Sequence, residues 1–337
     1  MKLTCLGISL MTLTVTLGAA ANEKAASTEI SDAKFTYSPA HGLGPEEGIM
    51  RRDPSNIIKD GDLYYVWYTK GRQYSGYNAT IYYATSPDGK SWTEKGEALA
   101  RGGEGAWDEQ SVFTPNILVA EDRYWLFYTA VPKPFVNDGN QVTETAIGIA
   151  VADSADGPWE KLDSNPILEA SDDRTKFDSM RVDDAVLVVH NGRYHLYFKG
   201  RQWNNTPGNT KMGVAIADAP GGPYIKHPGN PVIPAGHEVM AWPYGEGIMV
   251  LINIGPEAWR ESLHYSKDGL NFSRIMNTGP VPWAAGFYRP EAFTDSGRGE
   301  MPEWGIQIVH TSGLPHLGRV ECQWPDISTD HFGNNQP

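Results

Sequence analysis

The chain has 337 residues and a formal net charge of −13, from 28 basic and 41 acidic side chains. This balance gives no basic face for nucleic acid, and only 2 cysteines exclude a small disulfide-stapled domain. The 11 tryptophans, 16 tyrosines, 36 glycines and 24 prolines favour an all-β protein with many short strands and turns.

The first residues are typical of a secretory signal. Lys2 supplies the positive start, an apolar run extends from Leu3 to about Gly18, and Ala19-Ala20-Ala21 offers a small-residue cleavage site. We therefore predict a cleaved signal peptide over residues 1–21 and a flexible lead-in over 22–38. The mature protein is then periplasmic or secreted, with no membrane attachment after cleavage.

Beyond residue 39 one pattern repeats five times: a polar start, an apolar strand, a turn, an aromatic strand and a further strand pair. Four short strands in each repeat indicate the blades of a propeller, because a sandwich would not explain the recurring aromatic-Gly ending. We predict one catalytic domain over residues 39–337, an all-β, five-bladed β-propeller. The polar starts of the five repeats are Asp53, Thr114, Asp184, Glu238 and Glu291.

In a propeller the first strand of each blade lines the central channel, so the starts of these strands meet at one face. Asp53, Asp184, Glu291 and the His237-Glu238 pair should therefore lie in one funnel. Carboxylates in proximity raise one another's pKa, which creates the unequal acid and base that hydrolysis needs. The alternative for Asp53 is a turn role, because Asp-Pro is also a common way to begin a strand.

Two carboxyl-type groups on either side of a sugar are the minimum equipment of a glycosidase. Trp242 closely follows the His237-Glu238 pair and Arg289 lies just before Glu291; an aromatic ring and a guanidinium suit sugar faces and hydroxyls. Trp67 and Trp125 alternate within strands, so we interpret them as core residues.

Several stretches resemble glycoside hydrolase family 117: MRRDPSNIIKDGDLYYVWYTKG, GAWDEQSVFTPNIL, FDSMRVDDAVLV, AGHEVMAWPY and GFYRPE. The resemblance implies a five-bladed propeller similar to the arabinanases and xylosidases of family 43. It also implies an exo-acting, inverting enzyme that releases α-1,3-linked 3,6-anhydro-L-galactose from the non-reducing end of neoagaro-oligosaccharides. The expected partner is then an oligosaccharide, and no cofactor is required.

The resemblance further implies roles for single residues. Asp53 corresponds to the general base that activates water, and Asp184 to the residue that orients substrate or tunes the pKa of the acid. The acid is His237 or Glu238, only one of which should project into the site; we favour His237, which matches the family's proposed acid. The residues expected to contact substrate are Arg52, Asn116, Asp183, Trp242, Arg289 and Glu291.

This chain also departs from the family pattern. Asp183-Asp184-Ala185 stands where members usually have His-Asp-Pro, and Thr114-Pro115-Asn116 where they have Thr-Pro-Glu. The helical N-terminal dimerisation pattern is not found either, which leaves the oligomeric state open. These differences keep three alternatives: a carrageenan-type anhydro-sugar as substrate, an arabinofuranosidase or xylosidase, and a non-catalytic sugar-binding propeller. The sequence shows no dedicated metal-ligand set, and a divalent cation on the propeller axis remains an alternative.

Overall fold

The computed structural model describes residues 32–72, 78–134, 143–310 and 313–327, together with the backbone of 137–138 and 141–142. The predicted signal peptide and residues 22–31 of the predicted lead-in lie outside these ranges. Within the described ranges, no helix has the length and apolar character needed to span a bilayer.

The described strands form antiparallel sheets arranged as five blades in a ring, which confirms the predicted five-bladed β-propeller. Blade 1 contains β2 (Met50–Arg52), β3 (Ile58–Asp60), β4 (Leu63–Gly71), β5 (Thr80–Ser86) and β6 (Thr93–Leu99). Blade 2 contains β7 (Ser111–Ala120), β8 (Arg123–Val131), β11 (Ala146–Ala152), β12 (Glu160–Lys161) and β13 (Leu168–Glu169). A separate two-stranded ribbon is made of β9 (Asn137–Asp138) and β10 (Gln141–Val142).

The next two blades follow the same order from the inner to the outer strand. Blade 3 contains β14 (Arg181–His190), β15 (Arg193–Arg201), β16 (Lys211–Ala217) and β17 (Ile225–Lys226), with a short 3-10 helix at Pro207–Asn209. Blade 4 contains β18 (Met240–Tyr244), β19 (Gly247–Ile252), β20 (Ser262–Ser266) and β21 (Ser273–Asn277).

Blade 5 is built from both ends of the described chain. Its inner strands are β22 (Gly286–Tyr288), β23 (Trp304–Val309) and β24 (His316–Gln323), and its outer strand is β1 (Lys34–Pro39). β1 pairs antiparallel with β24, with Lys34 opposite Gln323. Because this pairing satisfies backbone groups that β24 would otherwise expose at a sheet edge, β1 closes the ring. The prediction of a flexible lead-in as far as residue 38 is therefore wrong at its C-terminal end.

Aromatic side chains fill the space between blades. Trp67 is fully buried between Tyr65 and Tyr83, with ring centroids at 5.9 and 6.4 Å. Trp125 belongs to the apolar cluster that joins blades 2 and 3. Both residues are core, as predicted, and large rings of this kind contribute much of the buried apolar area.

The inner strands share a kink at the same level of the propeller. Asp53, Thr114, Asp184 and Ala284 have left-handed backbone conformations, with φ of 50°, 44°, 52° and 43°. In β7 and β14 the pairing register shifts at this point. Positive φ is uncommon for residues other than glycine, and bulges of this type change the direction of a side chain. The kinks place one residue of each of these blades at the axis.

Candidate active site

A recess on the propeller axis is lined by residues of all five blades. Its lining includes one residue from the start of each inner strand: Asp53, Thr114, Asp184, Glu238 and Ala284. The recess has a volume of about 40 Å³, which is room for roughly three water molecules. It can hold water at a reacting centre, but a sugar ring must lie at its mouth.

The fifth blade departs from the expected convergence. Its inner strand is Gly286–Tyr288, so Ala284, and not Glu291, occupies the fifth position of the recess. Glu291 and Arg289 line a different cavity of about 320 Å³, together with Asp60 from the far end of the blade 1 inner strand. The structure thus does not bring these two predicted substrate contacts to the funnel, because the inner strand of the fifth blade is formed by the first three residues of GFYRPE, and Arg289 and Glu291 follow it. Arg289 instead pairs with Glu300 and, at 2.7 Å, with Glu303.

Trp242 is also placed differently from the prediction. Its side chain has 0% exposure and packs against Phe287 and Trp324, with ring centroids at 5.4 and 6.0 Å. The residue lies on the face of β18 that joins the core, alongside Met240. It cannot meet a sugar without unpacking blades 4 and 5, so the structure makes it a core residue.

Asp53 faces the recess and is held by its neighbour. Arg52 Nε donates to Asp53 Oδ2 at 2.8 Å, and both side chains are buried. Asp53 Oδ1 is buried and has no hydrogen-bond partner among the described residues, so it is available to a water molecule. Burial raises the pKa of Asp53, Arg52 opposes this shift, and the nearby Glu238 charge reinforces it. A raised pKa makes Asp53 a stronger base while it is ionised.

Lys199 supplies the positive charge beneath the carboxylates. It lies on β15 opposite Asp183, contacts Asp184, and is 3.6 Å from Asp183 Oδ1. Burial lowers the pKa of Lys199, but Asp183, Asp184 and Glu238 outweigh that effect and raise it. Lys199 therefore stays charged and offsets part of the repulsion between the carboxylates.

Asp184 and Glu238 form a coupled carboxyl pair. Burial raises the pKa of Asp184 well above its ordinary value, and Lys199 only partly opposes it. Burial alone would also raise the pKa of Glu238, yet Lys199, His237 and the Asp184 carboxyl together lower it. These opposite shifts favour a proton on Asp184 that is hydrogen-bonded to, and so shared with, the Glu238 carboxylate. Such a pair can give a proton on one side of a sugar while Asp53 takes one on the other.

His237 lies beside this pair without lining the recess. Its Nδ1–H donates to the carbonyl of Pro207 at 2.9 Å, and its Nε2 is 3.7 Å from Glu238 Oε1. Burial and Lys199 lower the pKa of His237, against the opposing effect of Glu238. A neutral imidazole with Nδ1–H committed to Pro207 has no proton on Nε2 to donate. The geometry thus favours Glu238 over the predicted His237 as the acid.

Two asparagines complete the polar lining. Asn116 and Asn56 are buried residues of the recess wall. Asn116 Oδ1 and Asn56 Nδ2 have no hydrogen-bond partner among the described side chains and backbone. Buried polar groups rarely lack partners, so these atoms are suited to bind water or sugar hydroxyls. Asn116 lines the recess, and its contact with substrate stays a prediction, whereas Asp183 is not part of the lining and lies 3.6 Å from Lys199.

Sequence reasoning missed Lys199 and Asn56. Lys199 ends an aromatic strand, in HLYFKGR, and only the pairing of that strand with DDAVLVVH reveals that it faces Asp183. Within the described residues, no three His, Cys, Asp or Glu side chains are arranged to hold a metal ion. The divalent cation on the axis stays an untested alternative, and the Lys199 ammonium provides positive charge beside the carboxylates.

Comparison with known proteins agrees with this geometry. The profile of Glycosyl hydrolases family 43 matches residues 49–200, which include Asp53, Asp184 and Lys199. A family 117 glycoside hydrolase of the marine bacterium Zobellia galactanivorans is 30% identical, with 91% of this chain and 95% of that chain covered and a TM-score of 0.78. The chain belongs to glycoside hydrolase family 117. The predicted resemblance is thereby confirmed, and this family 117 protein is a propeller glycoside hydrolase.

More distant structures share the fold of this family 117 chain. An endo-arabinase from Bacteroides thetaiotaomicron is 17% identical with a TM-score of 0.55, covering 88% of this chain and 99% of that chain. Fructan 1-exohydrolase IIa from Cichorium intybus is 13% identical with a TM-score of 0.57, covering 85% of this chain and 57% of that chain. A search of curated proteins finds no match to the chain.

Proposed function

We propose that this family 117 protein is an exo-acting, inverting glycoside hydrolase that removes a terminal 3,6-anhydro-L-galactose from neoagaro-oligosaccharides or related red-algal galactan fragments. The observation that supports this best is the recess, where Asp53 and the Asp184–Glu238 pair come from three different blades. A base and a proton-holding pair around one small water-sized space are what single-displacement hydrolysis requires.

In the proposed reaction Asp53 accepts a proton from water bound at its free Oδ1. The water oxygen attacks the anomeric carbon, and the bond from that carbon to the glycosidic oxygen breaks. Arg52 fixes Asp53 through Oδ2 and keeps Oδ1 directed to the water. Because the attacking water and the leaving oxygen lie on opposite faces of the sugar, the anomeric configuration inverts.

The glycosidic oxygen takes its proton from Glu238. Lys199 contacts Asp184 and stabilises its carboxylate, so the proton shared by the pair can move to Glu238 as the leaving oxygen approaches. Turnover leaves Asp53 protonated and Glu238 ionised, and exchange with solvent restores both. His237 is fixed by the Pro207 carbonyl and lies beside the acid, with Nε2 3.7 Å from Glu238 Oε1.

Exchanging Glu238→Gln should lower kcat for the natural oligosaccharide by about 10²–10⁴-fold, the usual size of a general-acid contribution. An aryl glycoside of the same sugar needs little protonation of its leaving group and should be affected much less. The matched variant His237→Gln should show a smaller loss, similar for both substrates. If His237→Gln instead spared only the aryl glycoside, His237 would be the acid.

A second candidate keeps the mechanism and changes the terminal sugar. Asp183 and Asn116 replace the histidine and glutamate that family members usually have, and Asn116 lines the recess. A carrageenan-type anhydro-sugar, an arabinofuranoside or a xyloside would then be the substrate.

The test is product release by the purified protein from neoagaro-, carrageenan-, arabino- and xylo-oligosaccharides, with sugars identified by chromatography and mass spectrometry. Release of 3,6-anhydro-L-galactose from the non-reducing end of neoagarobiose supports the first candidate. Another monosaccharide would support the second. Binding of an oligosaccharide without any release would contradict both and leave a sugar-binding propeller.

A further inference from the structure

An exposed tryptophan stands next to the recess. Trp283 is 44% exposed and is one of the few large apolar side chains that the described part of the chain leaves exposed; the others are Tyr37 and Ile225. It directly precedes Ala284 and Ala285, which line the recess on blade 5. An exposed aromatic ring at the edge of a site is a typical recognition feature, whereas isolated exposed apolar residues elsewhere need no explanation.

The backbone of Trp283 is fixed on both sides. Its N–H donates to Gln307 Oε1 at 3.1 Å, and its carbonyl accepts the N–H of Ile308 at 3.0 Å. Ala284, the next residue, has a left-handed φ of 43°. A ring on such an anchored backbone loses little conformational freedom when a ligand binds, which favours affinity.

His310 connects Trp283 to the catalytic groups. The two rings meet edge to face, with centroids 5.6 Å apart and planes at 81°. Burial and Arg52 lower the pKa of His310, while Asp53 and Glu238 raise it. Because Trp283 directly precedes Ala284 and Ala285 of the recess wall, the Trp283–His310 pair lies beside the recess.

The recess itself cannot hold a sugar ring, since its volume is about 40 Å³. On blade 5 its wall carries only the methyl groups of Ala284 and Ala285, between the blades that bear Glu238 and Asp53. A ring placed over these alanines would have the acid on one side and the base on the other. The indole face of Trp283, next to these alanines, is then positioned against the sugar that reacts.

We propose that Trp283 is the stacking platform for the terminal sugar of the substrate and that His310 sets the orientation of its ring. This inference rests on the proposed function, because it assigns a binding residue to the same site. The apolar face of a pyranose packs on an indole without a dedicated hydrogen bond. Trp283 therefore contributes to affinity for the terminal sugar, and the polar groups of the recess contribute to its orientation.

The experiment compares Trp283→Ala, Trp283→Phe and His310→Ala in an Asp53→Asn background that binds without turnover. The probes are neoagarobiose, neoagarotetraose and free 3,6-anhydro-L-galactose, each titrated by calorimetry and by tryptophan fluorescence. We expect Trp283→Ala to weaken binding of all three by about 10–30-fold, the loss typical of an aromatic anchor. Trp283→Phe should recover part of the affinity, and Ile225→Ala, an exposed apolar residue on outer strand β17, should change nothing.

The outcomes separate this inference from the proposed function. If the Asp53→Asn protein binds the probes and Trp283→Ala does not change its affinity, the role of Trp283 as stacking platform is contradicted, and the proposed hydrolase function is not affected. Loss with the oligosaccharides but not with the free monosaccharide would place Trp283 under the leaving group and overturn the assignment to the terminal sugar. Failure of the parent protein to bind any of these probes, together with no release from them by the wild type, would overturn both.

Discussion

Replacing Asp53→Asn is expected to lower kcat/KM by about 10²–10⁴-fold, because the variant loses the group that takes the proton from the attacking water. Asparagine is the suitable replacement because the backbone at Asp53 is left-handed, with φ of 50°, and asparagine tolerates that conformation. The amide carbonyl can still accept from Arg52, so KM should change little. Initial rates on the best oligosaccharide, measured across pH, check this prediction.

The pH dependence of the activity is a second test of Asp53 as the base. Burial raises the pKa of Asp53, so activity should fall on the acidic side at a pH above that expected for an exposed aspartate. The matched control is Asp122→Asn, which makes the same change at an exposed left-handed residue, φ 55°, in the turn between β7 and β8. A rate for Asp53→Asn equal to that of Asp122→Asn would contradict the role of Asp53 as base.

Replacing Lys199→Met should strongly destabilise the folded protein. Removing one partner of a buried ion cluster leaves the remaining charges uncompensated, which costs about 3–5 kcal/mol of unfolding free energy. Asp183, Asp184 and Glu238 would all lose this positive charge. Chemical denaturation at pH 7 measures the loss, and activity should fall because Asp184 can no longer be stabilised as a carboxylate.

The sign of the pH dependence follows from the raised pKa of Asp184. A carboxyl whose pKa is raised on folding favours the folded state at low pH, and that contribution is lost as pH rises through the folded-state pKa. Removing Lys199 raises this pKa further, so the stability difference from wild type should shrink as pH falls. Lys161→Met is the control. Lys161 Nζ is 2.6 Å from Oδ2 of buried Asp108, and this ion pair is not part of the recess. A loss in Lys199→Met that does not depend on pH would contradict the electrostatic explanation.

The sequence predicted the fold and most of the recess because both follow from the repeat. Asp53, Thr114, Asp184 and Glu238 occupy equivalent positions of successive blades, and the propeller brings them together. The prediction for the fifth repeat is wrong because its inner strand, Gly286–Tyr288, precedes Glu291, which therefore lies in another cavity. Repeat spacing locates a residue along the axis only when the repeat is regular.

Side-chain direction was the other source of error. Trp242 is two residues from Met240 on a strand, so both point to the same face, and that face is the core. The preference for His237 over Glu238 could not be tested by sequence, because it depends on which side chain lines the recess and on the Pro207 carbonyl. The sequence did not predict the role of Lys199, because that role depends on the pairing of β15 with β14, which no local sequence motif indicates.

The most direct test of the mechanism is a crystal structure of Asp53→Asn with neoagarotetraose or the best substrate found. We expect the terminal sugar over the recess, its anomeric carbon between residue 53 and Glu238. The two side-chain groups should be about 6.5–9.5 Å apart, with a water molecule bound to the residue 53 amide. A separation of about 5–5.5 Å with no room for water, or a sugar bound away from the recess, would contradict inversion by Asp53 and Glu238.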